Sequence, residues 1–345
     1  PEGELLKRVS CPGLKIVECP HLVRAISPLT DLKAYSFLKK LFREEKYDVV
    51  HTHSSKAGIV GRFAAKAAHV PFVAHTIHGL AFHRYEKFWK NFIYIASERA
   101  AAPCGKRIYA VAQAMIDQSL AAGVGKPEQY KVVYSGMELE PFLTSKPDPE
   151  LRKSLGIPEN AVVFATLARL FPLKGYETFI PVAVKLAKEI PDIHYLIIGN
   201  GSMMEEIQAQ IAEAGLEKRF SVAGLVPPNE VWKYLALSSA LVHFSLREGL
   251  PRAAVQSLAS GKPVIAYALD GTPEVVIPGK TGYLLQPGDR DGAEAAIREI
   301  MANPAHAAEL GANGRELVAS RFGWRTMSDA LLKDYAEQLA ALEKK

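Results

Sequence analysis

The chain has 345 residues, too many for one comfortable hydrophobic core, and this length predicts two domains with a cleft between them. Hydrophobic residues at 48% and charged residues at 23% are typical of a globular protein and exclude the disordered and fibrous classes. Three cysteines without metal-binding or redox spacing argue against a disulfide framework and favour a reducing, cytoplasmic location.

Charge is distributed unevenly along the sequence. Residues 1–110 carry 18 Lys and Arg against 9 Asp and Glu, a net charge of +9, whereas the remainder carries 24 against 28, a net charge of −4. A basic half suits an anionic membrane surface, a phosphorylated ligand or nucleic acid, and solvated lysines without a partner are the alternative. No nucleic-acid-binding motif accompanies this charge, so nucleic acid is not an expected partner. No apolar run approaches the roughly 18 to 20 residues that span a bilayer, so membrane contact is expected to be peripheral, on the inner face.

Short apolar runs alternate with helical patterns through the first half of the chain. Helical spacing is found at residues 31–46 and 57–68. Buried parallel strands are predicted at residues 47–51, 71–75, 107–111 and 131–134. Alternation of strands and helices predicts an α/β domain with a doubly wound parallel sheet, which we assign to residues 1–146.

A run rich in aromatic residues lies between the second and third predicted strands. Six side chains of residues 82–96 fall near one helical stripe: Phe82, Tyr85, Phe88, Trp89, Phe92 and Ile95. The basic residues Arg84, Lys87 and Lys90 lie towards another side of this predicted helix. The pattern fits an interfacial helix on an anionic membrane. A core-packing helix with a solvated basic face is the alternative.

Histidines cluster where two of the predicted strands end. His51 and His53 follow one strand, and His75, His78 and His83 follow the next. Because ligands bind at the carboxyl ends of strands in open α/β sheets, this clustering favours a site there. Without nearby carboxylates, hydrogen bonding or proton handling is favoured over metal binding. For His51 and His75, the alternative is that they are strand residues satisfied by the backbone.

A polar, proline-containing stretch at residues 144–149 is predicted to be a linker, after which the α/β pattern restarts. The second domain is assigned to residues 147–324. A closing amphipathic helix is predicted at residues 325–345, where apolar residues recur at helical spacing. The strands of the second domain are predicted at residues 161–165, 194–198, 220–223, 240–244, 263–266 and 283–285.

Two loops of the second domain carry the candidate ligand-binding residues. Arg169 and Lys174 follow its first strand and could clamp a diphosphate, one as a bidentate fork and the other as a point charge, in place of a metal ion. Glu248 precedes a helix start whose unpaired N–H groups favour a phosphate, and its carboxylate could contact sugar hydroxyls. Gly249 permits close backbone approach, and Gln256 lies within reach of a ribose. The alternatives are two solvated basic residues and a carboxylate that merely complements the helix dipole.

Seven stretches of the sequence together resemble glycosyltransferase family 4, a group of retaining GT-B enzymes. They are HTHSSKAG at 51–58, HTIHG at 75–79, YSGME at 134–138, RLFPLKG at 169–175, GNGS at 199–202, REGLP at 247–251 and the closing helix. The resemblance implies two Rossmann-like, doubly wound domains facing a cleft, with the closing helix returning to the first domain. It also implies transfer of a sugar from a nucleotide-sugar donor to a saccharide or lipid-linked saccharide acceptor, with retention of configuration, in surface polysaccharide synthesis.

Residue roles follow from the same resemblance. Arg169 and Lys174 are expected to bind the donor diphosphate, so that no metal ion or other cofactor is needed. Glu248 is expected to contact the donor sugar, and His78 to lie beside the reaction centre, where it positions or polarises that sugar. The other expected donor-binding residues are Gly199, Gly249, Leu250 and Gln256, and the expected acceptor-side residues are His53, Ser54 and Lys56.

The sequence departs from the family pattern in two places. The Glu-x7-Glu motif reads Glu248 to Gln256, and an amide loses the charge-assisted bonds that a carboxylate makes to ribose hydroxyls. Family members also begin with a strand, a glycine-rich loop, a helix and a second strand before the region in which Pro1 falls, so the first domain is expected to lack its first strand-helix-strand unit. Two alternatives stay open: a GT-B nucleotide-sugar hydrolase or epimerase, and a non-catalytic nucleotide-sugar-binding protein.

Overall fold

The computed structural model describes residues 11–23, 25 and 27–343. The first half alternates helices and strands: α1 (Pro28–Glu45), β1 (Val49–His53), α2 (Ser55–Ala67), β2 (Phe72–Ile77), α3 (Phe88–Ala101), β3 (Arg107–Ala110), α4 (Gln113–Ala121) and β4 (Tyr130–Val132). Within the described residues this sheet proceeds in one direction, β1-β2-β3-β4, and its pairings are parallel. The carboxyl ends of these strands therefore meet at one edge of the sheet.

The second half forms a larger parallel sheet. Its elements are α5 (Glu140–Leu143), α6 (Pro149–Ser154), β5 (Val162–Leu167), α7 (Tyr176–Glu189), β6 (Ile193–Ile198), α8 (Met204–Glu213), β7 (Phe220–Gly224), α9 (Val231–Ala236), β8 (Ala240–His243), α10 (Arg252–Ala259), β9 (Val264–Tyr267), β10 (Gly282–Leu285), α11 (Arg290–Ala302) and α12 (Pro304–Arg321). The strand order β10-β9-β8-β5-β6-β7 winds outward in both directions from β5 and β8. Ligands bind to such sheets where the order reverses, at the carboxyl ends of these two strands.

Successive side chains of each strand point to opposite faces of the second sheet, so the core of this half has two layers. Phe164 and Tyr195 pack with helices α7, α8 and α11 on one face, whereas Val163 and Leu196 pack with α9 and α10 on the other. Burial of each such large side chain contributes roughly 1.5 to 3 kcal/mol. Because both faces of the sheet are covered, its strands appear in the sequence as continuous apolar runs.

The last helix, α13 (Trp324–Glu343), returns to the first sheet. Its apolar side packs on Phe72, Tyr109 and Val133 through Met327, Ala330, Leu331, Tyr335, Leu339 and Leu342. Asp334 of this helix is 1% exposed and accepts hydrogen bonds from Tyr109, Arg107 and Lys131 at 2.7, 2.9 and 2.8 Å. The helix is thus held to the first sheet by apolar packing and by one buried carboxylate.

The chain crosses between the two sheets twice, after β4 and before α13. Met137 N–H donates to Phe322 O at 2.9 Å, and Trp324 N–H donates to Met137 O at 3.1 Å, so the two crossings pair with each other. Met137 and Phe142 already pack in the core of the second sheet. This packing favours a domain division near residue 137, and the division at residue 146 stays a prediction.

The predicted strands are all found, with small shifts of their boundaries. The helix predicted from residue 82 begins later, at Phe88, so its predicted start is wrong. Phe82 is instead buried in the first core, and the Asn91 side chain holds the preceding loop by accepting from His83 N–H at 3.0 Å and donating to His83 O at 2.8 Å. Within the described residues, no helix has the length and apolar character that crossing a bilayer requires.

Candidate active site

The carboxyl edges of the two sheets meet at a cleft that contains a cavity of about 280 Å³. Its lining comes from both halves: Gly79, Leu80, Phe82, His83, Met115 and Gln118 from the first, and Arg169, residues 171–174, residues 247–249 and Asp270 from the second. Four of the residues expected to contact the donor therefore line one cavity: Arg169, Lys174, Glu248 and Gly249.

Backbone geometry brings Lys174 beside Glu248. Gly175 follows Lys174 with a φ of 82°, and a Cβ at this position would lie 2.1 Å from Phe244 O. Only glycine permits this turn so close to the end of β8. Lys174 Nζ lies 2.7 Å from Glu248 Oε1, and this ion pair joins the loops that follow β5 and β8.

Glu248 is ionised in this setting. Burial alone would raise the pKa of Glu248, but His243 and Lys174 outweigh burial and lower this pKa to about 2. His243 Nε2 lies 3.4 Å from Glu248 Oε1, and the Glu248 N–H donates to Asp270 Oδ2 at 2.8 Å. A fixed carboxylate accepts hydrogen bonds and stabilises positive charge at neutral pH, but it has no proton to donate.

Arg169 lines both the cleft cavity and a second cavity of about 550 Å³ in the first domain. Its guanidinium carbon lies 5.3 Å from the centroid of the Phe171 ring. Gly199 packs directly against the backbone of the Arg169 loop, since a Cβ on Gly199 would lie 1.9 Å from Ala168 O. Gly199 does not line the cleft cavity, and its part in donor binding stays a prediction.

The segment that begins α10 closes the cleft from the second domain. A Cβ on Gly249 would lie 2.0 Å from His78 O, so glycine allows the two halves to approach at this point. Leu250 is buried in the second core, and Gln256 is half-buried on α10. Neither lines the cleft cavity, and their contacts with a donor stay predictions.

Two histidines of the first sheet share a hydrogen bond at the strand ends. His53 Nδ1 lies 2.9 Å from His78 Nε2. Burial lowers the pKa of both rings, and the charge of Arg252 lowers the pKa of His78 further. A charge on His78 would in turn lower the pKa of His53. The lowered pKa values favour the neutral form of each ring at neutral pH. His78 lines the second cavity together with Ser54 and Arg169.

His51 and His75 are strand residues with structural partners. His51 contacts the Tyr335 hydroxyl and lies 2.7 Å from Thr76 Oγ1, and His75 Nδ1 lies 2.9 Å from Thr52 Oγ1. Burial lowers the pKa of His51 to about 3 and holds the pKa of His75 well below its ordinary value. The expected backbone partners are replaced by side chains. His51 lies between β2 and α13, whereas His75 lies between β1 and α2, where a Cβ on Gly58 would be 2.3 Å from its ring.

Lys56 lies in the first turn of α2, outside both cavities. Its Nζ is 2.5 Å from Asp31 Oδ1, so its charge is neutralised against α1. Its expected part in acceptor binding stays a prediction.

Sequence reasoning missed two acidic residues that join the halves across the cleft. Glu274 accepts from the N–H groups of Gln113 and Ala114, at 3.0 and 3.1 Å, at the start of α4. Asp270 accepts from Gln118 Nε2 at 2.9 Å and has a φ of 50°, which is uncommon for a residue other than glycine. Their partners are remote in the sequence, so no local pattern marks them.

Among the residues that the structure describes, no three or more His, Cys, Asp or Glu side chains form a group suited to a metal ion. The Asp-x-Asp sequence at residues 289–291 begins α11, where Asp289 caps the helix by accepting from Gly292 N–H at 2.8 Å. Independence from a metal ion stays a prediction.

Comparison with known proteins identifies the family. Residues 147–317 match the family described as glycosyl transferases group 1, and residues 3–136 match the glycosyl transferase 4-like domain. A UDP-Gal:alpha-D-GlcNAc-diphosphoundecaprenol alpha-1,3-galactosyltransferase of Escherichia coli is 33% identical over 285 residues, which cover 81% of this chain and 73% of the relative. The chain belongs to the GT4-type, group 1 glycosyltransferases.

Other relatives agree with this family. A D-inositol 3-phosphate glycosyltransferase of Thermobispora bispora is 27% identical over 324 residues, covering 88% of this glycosyltransferase and 75% of the relative. Anabaena HepE in complex with UDP superimposes with a TM-score of 0.78 at 23% identity, covering 90% and 84% of the two chains. Sucrose-phosphate synthase of Thermosynechococcus elongatus gives a TM-score of 0.78 at 25% identity, covering 91% and 79%. The α/β GT-B fold and the family predicted from the sequence are confirmed, and the activity is transfer of a sugar from a nucleotide-sugar donor.

Proposed function

We propose that this glycosyltransferase moves a hexose from a UDP-sugar to a lipid-linked saccharide, with retention of configuration and without a metal ion. The observation that carries the proposal is the cavity in which Arg169, Lys174 and the ionised Glu248 lie together. UDP is favoured because the E. coli relative is named for UDP-Gal and the HepE structures contain UDP or UDP-glucose. The name of that relative also supplies the acceptor class, a saccharide joined to a lipid through diphosphate. Such an acceptor suits surface polysaccharide synthesis by a peripheral enzyme at the cytoplasmic face of a membrane.

On the donor side, positive charge takes the place of a metal ion. Arg169 would hold the diphosphate as a bidentate fork and Lys174 as a point charge, so that both neutralise the leaving phosphate as the glycosidic bond breaks. Glu248 would accept hydrogen bonds from donor-sugar hydroxyls and stabilise positive charge at the anomeric carbon. Because the low pKa of Glu248 keeps it ionised, a role as proton donor is not part of the proposal.

On the acceptor side, the hydroxyl would attack the face that the nucleotide leaves, and the departing phosphate would take its proton. This front-face attack retains the configuration. His78 lies at the second cavity as a neutral ring fixed by His53, which suits positioning a sugar by hydrogen bonding. Closure of the two halves would exclude the water that otherwise hydrolyses the donor.

A panel of UDP-, GDP- and ADP-sugars tests the proposal, with a polyprenyl-diphosphate-linked GlcNAc as acceptor, with and without EDTA. We expect release of UDP that is insensitive to EDTA and is lost in Glu248→Ala. UDP release should accompany formation of a saccharide product, and the anomeric coupling constant in proton NMR should show that its new linkage is α. Inversion at the anomeric carbon or loss of activity in EDTA would contradict the mechanism.

The same assay separates the alternative functions. Free hexose or an epimerised donor without acceptor consumption would identify a hydrolase or epimerase. Donor-stabilised melting without turnover of any donor would identify a binding protein. Turnover of GDP- or ADP-sugars alone would overturn the choice of UDP.

A further inference from the structure

Five of the large apolar side chains that the structure leaves exposed lie within residues 85–93. Phe88, Trp89 and Phe92 are 87%, 58% and 68% exposed, and Tyr85 and Ile93 are exposed as well. We call these five residues the aromatic patch. Soluble proteins rarely leave contiguous apolar surface of this kind without a partner.

Helix geometry separates the patch from the core. Tyr94, Glu98 and Ala101 lie on the side of α3 that packs into the first domain, whereas Phe88 and Phe92, four residues apart, lie on the other side. The core therefore uses only one side of this helix. Core packing, the alternative expected from the sequence, does not account for the patch.

Basic side chains border the aromatic patch. The Arg84 guanidinium lies 5.0 Å from the Tyr85 ring centroid, and Lys90 Nζ lies 5.8 Å from that of Trp89. Lys87 is exposed immediately before the helix. Residues 51–110, which surround this helix in the sequence, contain 9 Lys and Arg against 2 Asp and Glu. Aromatic side chains beside positive charge complement the apolar edge and the phosphates of an anionic lipid surface.

We propose that the aromatic patch inserts into the headgroup region of an anionic bilayer, with Arg84 and Lys87 contacting lipid phosphates. Lys90 Nζ lies 3.2 Å from Glu86 Oε1, so its charge is paired within the protein. A second copy of this chain is the other occupant of an apolar surface, but the basic residues around the patch would repel the same residues of a symmetric partner. Charge complementarity therefore favours the lipid surface.

Docking through the patch would bring the cleft to the membrane. The His83 ring, which lines the cleft cavity, lies with its centroid 6.4 Å from that of Tyr85. The inner side of α3 contributes Glu98 to the second cavity. A saccharide on a membrane lipid would then enter the cleft along one helix. This consequence rests on the proposed function, whereas binding to lipid does not.

Vesicle binding by the full chain tests the proposal directly. We expect co-sedimentation with vesicles of equal parts phosphatidylcholine and phosphatidylglycerol, weaker binding to phosphatidylcholine alone, and a blue shift of tryptophan fluorescence that Trp89→Phe removes. The double variant Phe88→Ser, Phe92→Ser should weaken binding to the mixed vesicles about tenfold or more. Leu332→Ser is the matched control, since Leu332 is 62% exposed on α13, and it should bind as the wild type does.

Two results would overturn the proposal. One is unchanged vesicle binding by the double variant when its circular dichroism matches the wild type. The other is a concentration-dependent dimer in analytical ultracentrifugation that the double variant abolishes, which would assign the patch to a second copy.

Kinetics separate this proposal from the proposed function. With a lipid-linked acceptor in mixed vesicles, the double variant should raise KM about tenfold with little change in kcat. With a soluble acceptor that lacks the lipid, its kcat/KM should equal that of the wild type, and a matching loss would contradict a membrane role. If the wild type binds vesicles but transfers no sugar, the proposed function fails and the docking surface stands.

Discussion

The ammonium group of Lys174 lies 2.7 Å from the Glu248 carboxylate in the cleft. The diphosphate of a bound donor would be a second anionic partner for it. Arg169 has no such carboxylate partner in the described residues and stacks near Phe171. Both cations line the same cavity. We expect the donor diphosphate to bind between them and to share Lys174 with Glu248.

Replacing Lys174 by glutamine tests this sharing. We expect Lys174→Gln to lower kcat/KM for the UDP-sugar about 100-fold or more, because an amide does not neutralise the leaving diphosphate. Lys185→Gln is the matched control: Lys185 Nζ lies 2.6 Å from Glu294 Oε2 in an exposed ion pair, and its loss should leave steady-state kinetics unchanged. An equal loss of kcat/KM in Lys174→Gln and Lys185→Gln would contradict the role of Lys174 in binding the donor diphosphate.

At the scale of elements, α13 joins the chain end to the first sheet through Asp334. Burial alone would raise the pKa of Asp334, but hydrogen bonds from Lys131 and Tyr109 and the charge of Arg107 outweigh burial and lower this pKa. The carboxylate is therefore favoured in the folded protein. It also stabilises the two cations, which are partly buried beside it.

We expect Asp334→Asn to lower the free energy of unfolding by about 2 kcal/mol at pH 7, because it removes a buried charge from two cations. The pKa of Asp334 is lower in the folded state than in the unfolded state. Its contribution is therefore complete above the unfolded value of about 4 and is lost as pH falls through the folded value. Urea unfolding should show the difference between wild type and variant shrinking below about pH 4.

Asp329→Asn, an exposed substitution on the same helix, is the control and should unfold as the wild type does at every pH. A difference between wild type and Asp334→Asn that stays constant into acid would show that packing, and not the carboxylate charge, stabilises α13.

At the scale of the whole molecule, side chains of one half bind backbone groups of the other. The Glu274 carboxylate accepts from two N–H groups at the start of α4, where the helix dipole favours negative charge, and from the Tyr134 hydroxyl at 3.1 Å. Gly249 packs against His78 O. The Glu274 hydrogen bonds and the Gly249 contact thus hold the two halves together.

Glu274→Ala should open the molecule. Loss of these hydrogen bonds is worth about 1 to 3 kcal/mol, which shifts the equilibrium between closed and open forms about 5- to 150-fold. We expect a larger radius of gyration in small-angle X-ray scattering and a lower kcat/KM. Glu309→Ala, at a side chain that is 70% exposed, should change neither quantity. If the Glu274→Ala variant keeps the radius of gyration and the kinetics of the wild type, other contacts hold the two halves together.

Much of the fold follows from local sequence pattern. The strands, the restart of the α/β pattern and the closing helix are found close to their predicted positions, because hydrophobic periodicity is a property of neighbouring residues. The same holds for Arg169, Lys174 and Glu248, whose positions after β5 and β8 are set by the turn that follows each strand. The placement of these loops at the cleft could therefore be predicted before the cleft was known, and the binding roles of the three residues stay predictions.

Only the tertiary structure decided the features that depend on packing between elements far apart in the sequence. Asp270 and Glu274 have partners that lie 152 to 161 residues away in the sequence. Those of Glu274 include backbone N–H groups, which every residue except proline carries and no sequence pattern marks. The bond between His53 and His78 requires the register of β1 and β2. Exposure of Phe88 depends on which side of α3 the first core covers. Pattern along the chain determined the elements and the residue types in the loops, whereas packing between separate elements decided the partners, the charge states and the surface left free.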